Sequence, residues 1–410
     1  MRLPGSISWN VPATESGPRL LSIPGLRLER AAAKLFRWVK HRKRLRISVK
    51  EANFMPMPSS VETVAERAGV SVSTVSRALR DIPGISIETR KRVQRIALEL
   101  GYVPSLAGSR LATGKTRTVA ILTPSLSKWF FGQVLSSAGN VLREAGYDVL
   151  LYELADPGSR DRFFAGPGLA GRADGVLILA LQPSPQELAA LDRQGLPIAV
   201  LGSNQPGLAG VSVEDRAAGL SAVRHLLNLG HEQIGFIGIQ EQVGSTLGGV
   251  PPAQRHLGYR DALAEAGLEP DPGNEVFDEN TVSGGSAAMA KLLCAGNPPT
   301  AVFVASDEMA FGALRSLRDA GISIPDDVSV IGFDNHELAE LLDLTTMDHS
   351  VARQGSEAAR LLLANLHATD LQATDPAAGS LTITATLVVR GSTAPPRPLR
   401  SKNRLQRHVG

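Results

Sequence analysis

Seven short apolar runs separated by stretches of helical periodicity constrain this chain most. Residues 119–122, 149–152, 175–179, 198–201, 234–239, 301–304 and 328–331 read as buried strands. Helical patterns fall between them, at about 132–145, 185–193, 216–229, 254–266, 284–293 and 308–320. Strand–helix alternation implies parallel sheets covered by helices on both faces. The number of strands suits two doubly wound lobes, with their strand ends facing a shared cleft. Ligands of such sheets sit at the carboxyl ends of the strands. Residues 156–171 carry Pro157, Gly158, Gly166, Pro167, Gly168 and Gly171, and read as a loop-rich connection.

A different pattern precedes the first strand. Val64, Ala65 and Ala68 share one helical face, as do Val75 and Leu79, with Gly69 between the two groups. Gly69 permits a sharp turn, and Ser71 is a good N-cap for the second helix. Two short helices and a tight turn form a helix-turn-helix, whose second helix enters the DNA major groove. Val72 and Ser73 lie in its first turn, within reach of base edges. Arg77, four residues after Ser73, shares that face and suits a guanine or a phosphate. Ser71, Thr74 and Ser76 offer hydroxyls to phosphates, which set position rather than sequence preference. The alternative is a helical hairpin inside a larger core. Asp81, Pro83 and Gly84 then mark a turn, Ser86 caps a third helix to Leu100, and Gly101 ends it.

Charge is divided along the chain. Residues 1–50 hold +10, 59–115 hold +4 and 397–410 hold +5, whereas 116–396 hold −15. A basic N-terminal portion on an acidic body implies a polyanionic partner for the first part only. No apolar run approaches the roughly 20 residues needed to span a membrane. The single cysteine, Cys294, rules out an internal disulfide framework and suggests a reducing cytoplasm. It reads as a buried small hydrophobe. Residues 1–58 fit three readings: a nucleic-acid-binding arm, a disordered extension, or translated sequence upstream of a start at Met55 or Met57.

The string VAERAGVSVSTVSRAL at 64–79, with Arg90-Lys91-Arg92-Val93 and Gly101-Tyr102-Val103-Pro104, closely resembles the lactose-repressor (LacI/GalR) family of bacterial transcription regulators. The likeness extends to about Ser392. It implies a small all-α helix-turn-helix head at 59–104 and a hinge at 105–116. An α/β core of two doubly wound parallel-sheet lobes, like that of periplasmic sugar-binding proteins, would span 117–396 and also mediate dimerisation. A basic tail, expected to be disordered, would follow at 397–410. In the family the hinge becomes a helix on operator DNA and wedges a leucine into the minor groove; Leu111 falls at that position. Such a wedge bends the duplex. Gly108 stands where alanine is common, and glycine costs about 1 kcal/mol in a helix interior. We hypothesise a hinge that folds less readily. Gly108→Ala should tighten operator binding, and unchanged or weaker affinity in a gel-shift titration would contradict this.

The resemblance also implies effector contacts. Trp129 and Phe130 match the family's aromatic loop, though core packing is the alternative for both. Arg255 opens an Arg-x-x-Gly-aromatic motif, and its fork suits paired hydroxyls or a carboxylate. Ser306 replaces a usual asparagine before Asp307, which reads as structural. Phe333 and Asp334 match a segment whose aspartate holds sugar hydroxyls; for Asp334 the alternative is a helix cap. Leu344-Thr345-Thr346 resembles the crossover between lobes, 351–366 reads as an amphipathic helix, and 381–389 as a final strand. The tail lacks leucine heptads, so no coiled-coil tetramer is implied.

The motifs of nucleophile elbows, phosphate-binding loops and zinc helices do not occur. No cofactor is expected. The reading is a cytoplasmic homodimeric regulator, in the family's usual role a repressor of carbohydrate-related genes. Its partners would be a palindromic DNA operator and a sugar or sugar derivative. A transport-type sugar-binding protein and a two-lobed α/β enzyme are the alternatives.

Overall fold

The computed structural model of the protein describes residues 60–79, 83–102, 114–166, 168–202, 207–240, 250–370 and 379–397. The basic extension 1–58, Asp81 of the first turn, the hinge segment 105–113 with Leu111 and Gly108, and the tail beyond Arg397 lie outside the described residues. The chain falls into two units, divided between Pro104 and Ser105.

The first unit contains α1 (Val61–Ala68), α2 (Val72–Leu79) and α3 (Ile87–Glu99). Ser60 caps α1 by accepting from the Thr63 N–H, and Ser86 caps α3 by accepting from that of Thr89. Gly69 closes α1 at φ 63°, a left-handed backbone that a side chain would strain. Val64, Ala68, Val75, Ala78, Val93 and Ile96 form the shared centre. It is a small core, and modules of this size are marginally stable alone.

The second unit begins with β1 (Thr118–Thr123), α4 (Trp129–Glu144), β2 (Asp148–Glu153), α5 (Pro157–Ala165), β3 (Gly175–Leu179), α6 (Pro185–Asp192), β4 (Ile198–Leu201) and β5 (Ala209–Val213). A second lobe follows: α7 (Asp215–Asn228), β6 (Ile234–Ile239), α8 (Val250–Glu265), β7 (Glu275–Asp278), α9 (Val282–Leu293), β8 (Ala301–Val304), α10 (Asp307–Asp319), β9 (Ser329–Phe333), α11 (Glu337–Leu341) and β10 (Thr345–Asp348). The chain then returns through α12 (Val351–Asp370), β11 (Ser380–Ile383) and β12 (Thr386–Val388). The sheet orders are β11-β5-β4-β3-β1-β2 and β12-β10-β9-β8-β6-β7. All described pairings are parallel except β10 with β12. Each sheet is doubly wound, and its ligand side is the carboxyl end of its strands.

Packing explains why particular residues recur. Helix α12 lays Val351, Ala358 and Leu362 against Val134, Ala138 and Leu142 of α4, so the returning helix completes the first lobe's core. Helices α7 and α8 meet at backbone distance. A Cβ on Gly258 would overlap the carbonyl oxygen of Arg216, so the glycine of the Arg-x-x-Gly motif has a packing reason.

Several expectations need correction. Residues 156–171 are not a loop throughout, because Asp156 and Ser159 form a capping box and Pro157 sits at the helix start, nucleating α5. The expected final strand is two: β11 completes the first sheet, and the chain then crosses to pair β12 with β10. Thr345 and Thr346 are themselves strand residues, so the lobes are crossed at 349–350 rather than at the threonines. Strands β5, β7 and β10 were not foreseen; each interrupts its apolar residues with glycine or polar ones, and β7 sits at a sheet edge. Cys294 is exposed, because it follows the last turn of α9 instead of lying on its buried face.

Candidate DNA-reading helix and effector cavity

Helix α2 presents the expected face. Ser71, Val72, Ser73 and Arg77 are exposed, and Thr74 and Ser76 are half-buried. Ser71 Oγ accepts from the Thr74 N–H at 3.2 Å and shares hydroxyl bonds with Ser73 at 2.8 Å and Thr74 at 2.9 Å. The cap and the first-turn hydroxyls are therefore one ordered group. Arg77 differs from the simple expectation. Its Nη2 donates to the Pro83 carbonyl at 2.7 Å, which ties the turn after α2 to the helix. A guanidinium has five N–H donors, so this bond leaves others for a phosphate or a base. On α3, Lys91, Arg92 and Arg95 are exposed.

In the second unit a cavity of about 230 Å³ lies between the lobes. Its wall comes from strand ends. Pro124 follows β1, Ala180 follows β3, Gly202 follows β4, Val213 ends β5, Ile239 ends β6, Ser306 follows β8 and Asp334 follows β9. One part is apolar, with Phe130, Phe131, Pro251 and Pro252; another is polar, with Lys128, Asp215, Arg255, Asn280, His349 and Gln354.

Arg255 is the hub of the polar wall. Nε donates to Asp215 Oδ1 at 2.8 Å and Nη1 to the Ala305 carbonyl at 2.7 Å. Asp334 Oδ1 is 3.8 Å from Nη1, and the guanidinium lies 3.6 Å from the centre of the Phe333 ring. Two carboxylates and an aromatic face thus hold a cation that is only 7% exposed. Asp334 has φ 124° and Asn335 φ 52°, a strained turn that aims the aspartate at the cavity. This turn excludes the cap reading of Asp334, because the N-cap of α11 is His336, whose side chain accepts from the Leu338 N–H. Asp334 Oδ1 also lies 3.2 Å from Nε2 of His349. Gln354 Nε2 donates to the His349 carbonyl at 2.8 Å and lies 2.9 Å from Nδ1.

Asp307 is structural, as expected, and stays off the cavity wall. It is fully buried, accepts from the Thr346 hydroxyl at 2.7 Å and accepts from the His336 N–H at 2.8 Å. Burial and the nearby charge of Asp334 push its carboxyl well above the ordinary range. Burial likewise lowers His336.

Known proteins share this arrangement. A sequence profile for bacterial regulatory proteins of the lacI family matches residues 60–105, and one for the periplasmic binding protein-like domain matches 223–393. The transcriptional repressor CytR of Escherichia coli K12 is 32% identical over 341 residues, 82% of this chain and 96% of CytR. The chain belongs to the lacI family. Among solved structures, the lac repressor dimer bound to operator and the anti-inducer ONPF superposes with a TM-score of 0.71 at 25% identity, covering 82% of this chain and all of that one. The CelR–cellobiose complex gives 0.59 at 30% identity, covering 82% of this chain and 99% of that one. These relatives are transcriptional regulators.

Of the effector residues read from the family pattern, the fold brings Phe130, Arg255, Ser306 and Asp334 to one cavity. Trp129 and Phe333 stand behind the wall: Trp129 packs against His336, and Phe333 lies under Arg255. The aromatic loop is the first turn of α4, which turns Trp129 towards His336 while Phe130 and Phe131 reach the cavity. Ser306 caps α10 and donates to Asn280 Oδ1 at 2.7 Å. Sequence reasoning missed Asp215, Asn280, His349 and Gln354. Asp215 and Asn280 follow the unforeseen strands β5 and β7, which hid their strand-end position. Among the described residues, no group of three or more possible metal ligands occurs, and no helix is long and apolar enough to cross a membrane.

Proposed function

We propose that this lacI-family regulator is a cytoplasmic repressor that binds a palindromic operator as a homodimer and releases or grips it in response to a small sugar. Ser71, Val72, Ser73, Thr74, Ser76 and Arg77 read or position DNA, and Leu111 serves as the minor-groove wedge. Phe130, Arg255, Ser306 and Asp334 contact the effector directly, with Phe333 holding Arg255 and Trp129 backing the aromatic turn. The protein carries out no catalysis in this role.

The observation that carries the effector reading is that the cations of the cavity are already matched. Arg255 is met by Asp215 and Asp334 on the same wall, and Lys128 by Glu308 of α10. An uncharged polyhydroxy ligand fits such a wall, whereas a phosphorylated sugar would bring an unmatched dianion. At about 230 Å³ the cavity is smaller than the roughly 300–1,000 Å³ of drug-sized sites. This favours a monosaccharide or a ligand of similar size. The relative crystallised with cellobiose supports the sugar class.

Calorimetric titration of the full chain tests the proposal, with neutral sugars and their 6-phosphates in parallel. Saturable binding of a neutral sugar that is lost in Asp334→Ala is expected. Tighter binding of the phosphorylated member would overturn the neutral-ligand reading.

A further inference from the structure

The first turn of α4 belongs to the first lobe, yet the second lobe completes it. Glu308, in the first turn of α10, accepts from the Trp129 backbone N–H at 3.1 Å through Oε1. Through Oε2 it accepts from the Lys128 ammonium, also at 3.1 Å. The same ammonium donates to the Asn280 carbonyl, and the Trp129 ring packs tilted against His336 with centroids 4.4 Å apart. Lys128 is the N-cap of α4 and makes no side-chain capping bond. The opposite lobe therefore supplies the acceptor that a serine or aspartate cap would provide locally. The sign is right as well, because a helix N-terminus favours a carboxylate. This turn carries Lys128, Phe130 and Phe131 onto the cavity wall.

We propose that Glu308 is an interlobe latch and a positioning residue for the effector cavity. It caps α4 from the second lobe and so holds the aromatic part of the wall in place when the lobes are closed. Two features make the contact reversible. The ion pair is 26% exposed at Lys128 and 21% at Glu308, so salt and water weaken it. The indole N–H of Trp129 is buried without an acceptor among the described residues, a penalty that opening the lobes relieves. Opposing terms of this kind keep two states close in free energy, which is the condition for a ligand to shift their populations. The regulatory consequence rests on the reading of the cavity as the effector site; the latch itself does not.

Hydrogen exchange on the ligand-free full chain, read by mass spectrometry on peptides covering 126–132 and 118–123, tests the latch. In Glu308→Ala the Trp129 amide should exchange at least about tenfold faster, while β1 is unchanged. Glu308→Gln keeps an acceptor and should show a smaller acceleration. In a Trp9→Phe/Trp38→Phe background, acrylamide quenching of Trp129 should rise in Glu308→Ala. Exchange at 126–132 within about twofold of wild type in Glu308→Ala would overturn the proposal. So would equal acceleration of both peptides in both variants, which marks general destabilisation. No effector enters this readout, so failure of the latch and failure of the effector reading are distinguishable.

Discussion

Replacing Arg255 by alanine has the most calculable consequence in the core. The pair with Asp215 spans 2.8 Å, and each side chain is 8% exposed. In Arg255→Ala, Asp215 loses its guanidinium partner, the Ala305 carbonyl loses its donor, and Asp334 loses the cation 3.8 Å away. Removing one partner of a buried pair costs about 3–5 kcal/mol, and the stranded Asp215 carboxylate places this variant in that range. Asp215→Ala alone strands Arg255 less completely, because Asp334 and the Phe333 ring remain beside it. The double variant should recover part of the summed losses, with a coupling on the order of 2 kcal/mol. Urea unfolding followed by circular dichroism measures all three, and the midpoints should move without a change of slope. A loss below about 1 kcal/mol in Arg255→Ala, or simple additivity of the two single losses, would refute the role of Arg255 as the buried hub.

Other outcomes follow from local geometry. Gly258→Ala should destabilise the core by about 1–3 kcal/mol in the same assay, because its Cβ meets the Arg216 carbonyl; a neutral effect would mean that α7 and α8 can move apart freely. Ser86→Ala should cost the head about 1 kcal/mol in thermal unfolding, through loss of the bond to the Thr89 N–H. Asp307→Asn should alter the pH dependence of stability. The raised carboxyl of Asp307 contributes stability that is complete below its ordinary value near 3.8 and is lost as pH rises through the raised folded value. Urea midpoints from acid to neutral pH should therefore fall less in Asp307→Asn than in wild type, and identical slopes would contradict that account.

The parts legible in the sequence are those with local causes. Val64, Val75 and Val93 share faces by helical spacing, so the head was readable from periodicity alone. The central strands of both sheets were readable too, because burial on both faces makes them continuously apolar. Short strands with mixed patterns were not. Strand β7 exposes Phe277 and buries little, so only pairing with β6 identifies it. At the cavity, Arg255 and Asp334 were found through a family pattern, yet their partners Asp215 and His349 lie 40 and 15 residues away. Such pairings are set by sheet order, which no local signal carries. Trp129 and Phe130 were indistinguishable as neighbours in sequence; once α4 begins at Trp129, helical geometry sends one to His336 and the other to the cavity wall.

The proposed reading of operator DNA by α2 is open to a direct test. Selection of duplexes from a random pool by the full chain, followed by titration of the selected site at several salt concentrations, tests it most directly. A palindromic consensus is expected, with an affinity that falls steeply with salt, log K dropping by about 0.9 per phosphate contact for each tenfold rise. Arg77→Ala and Ser73→Ala should lose preference for that site while keeping a folded core. Failure to enrich any sequence, or full operator affinity in both variants, would contradict it.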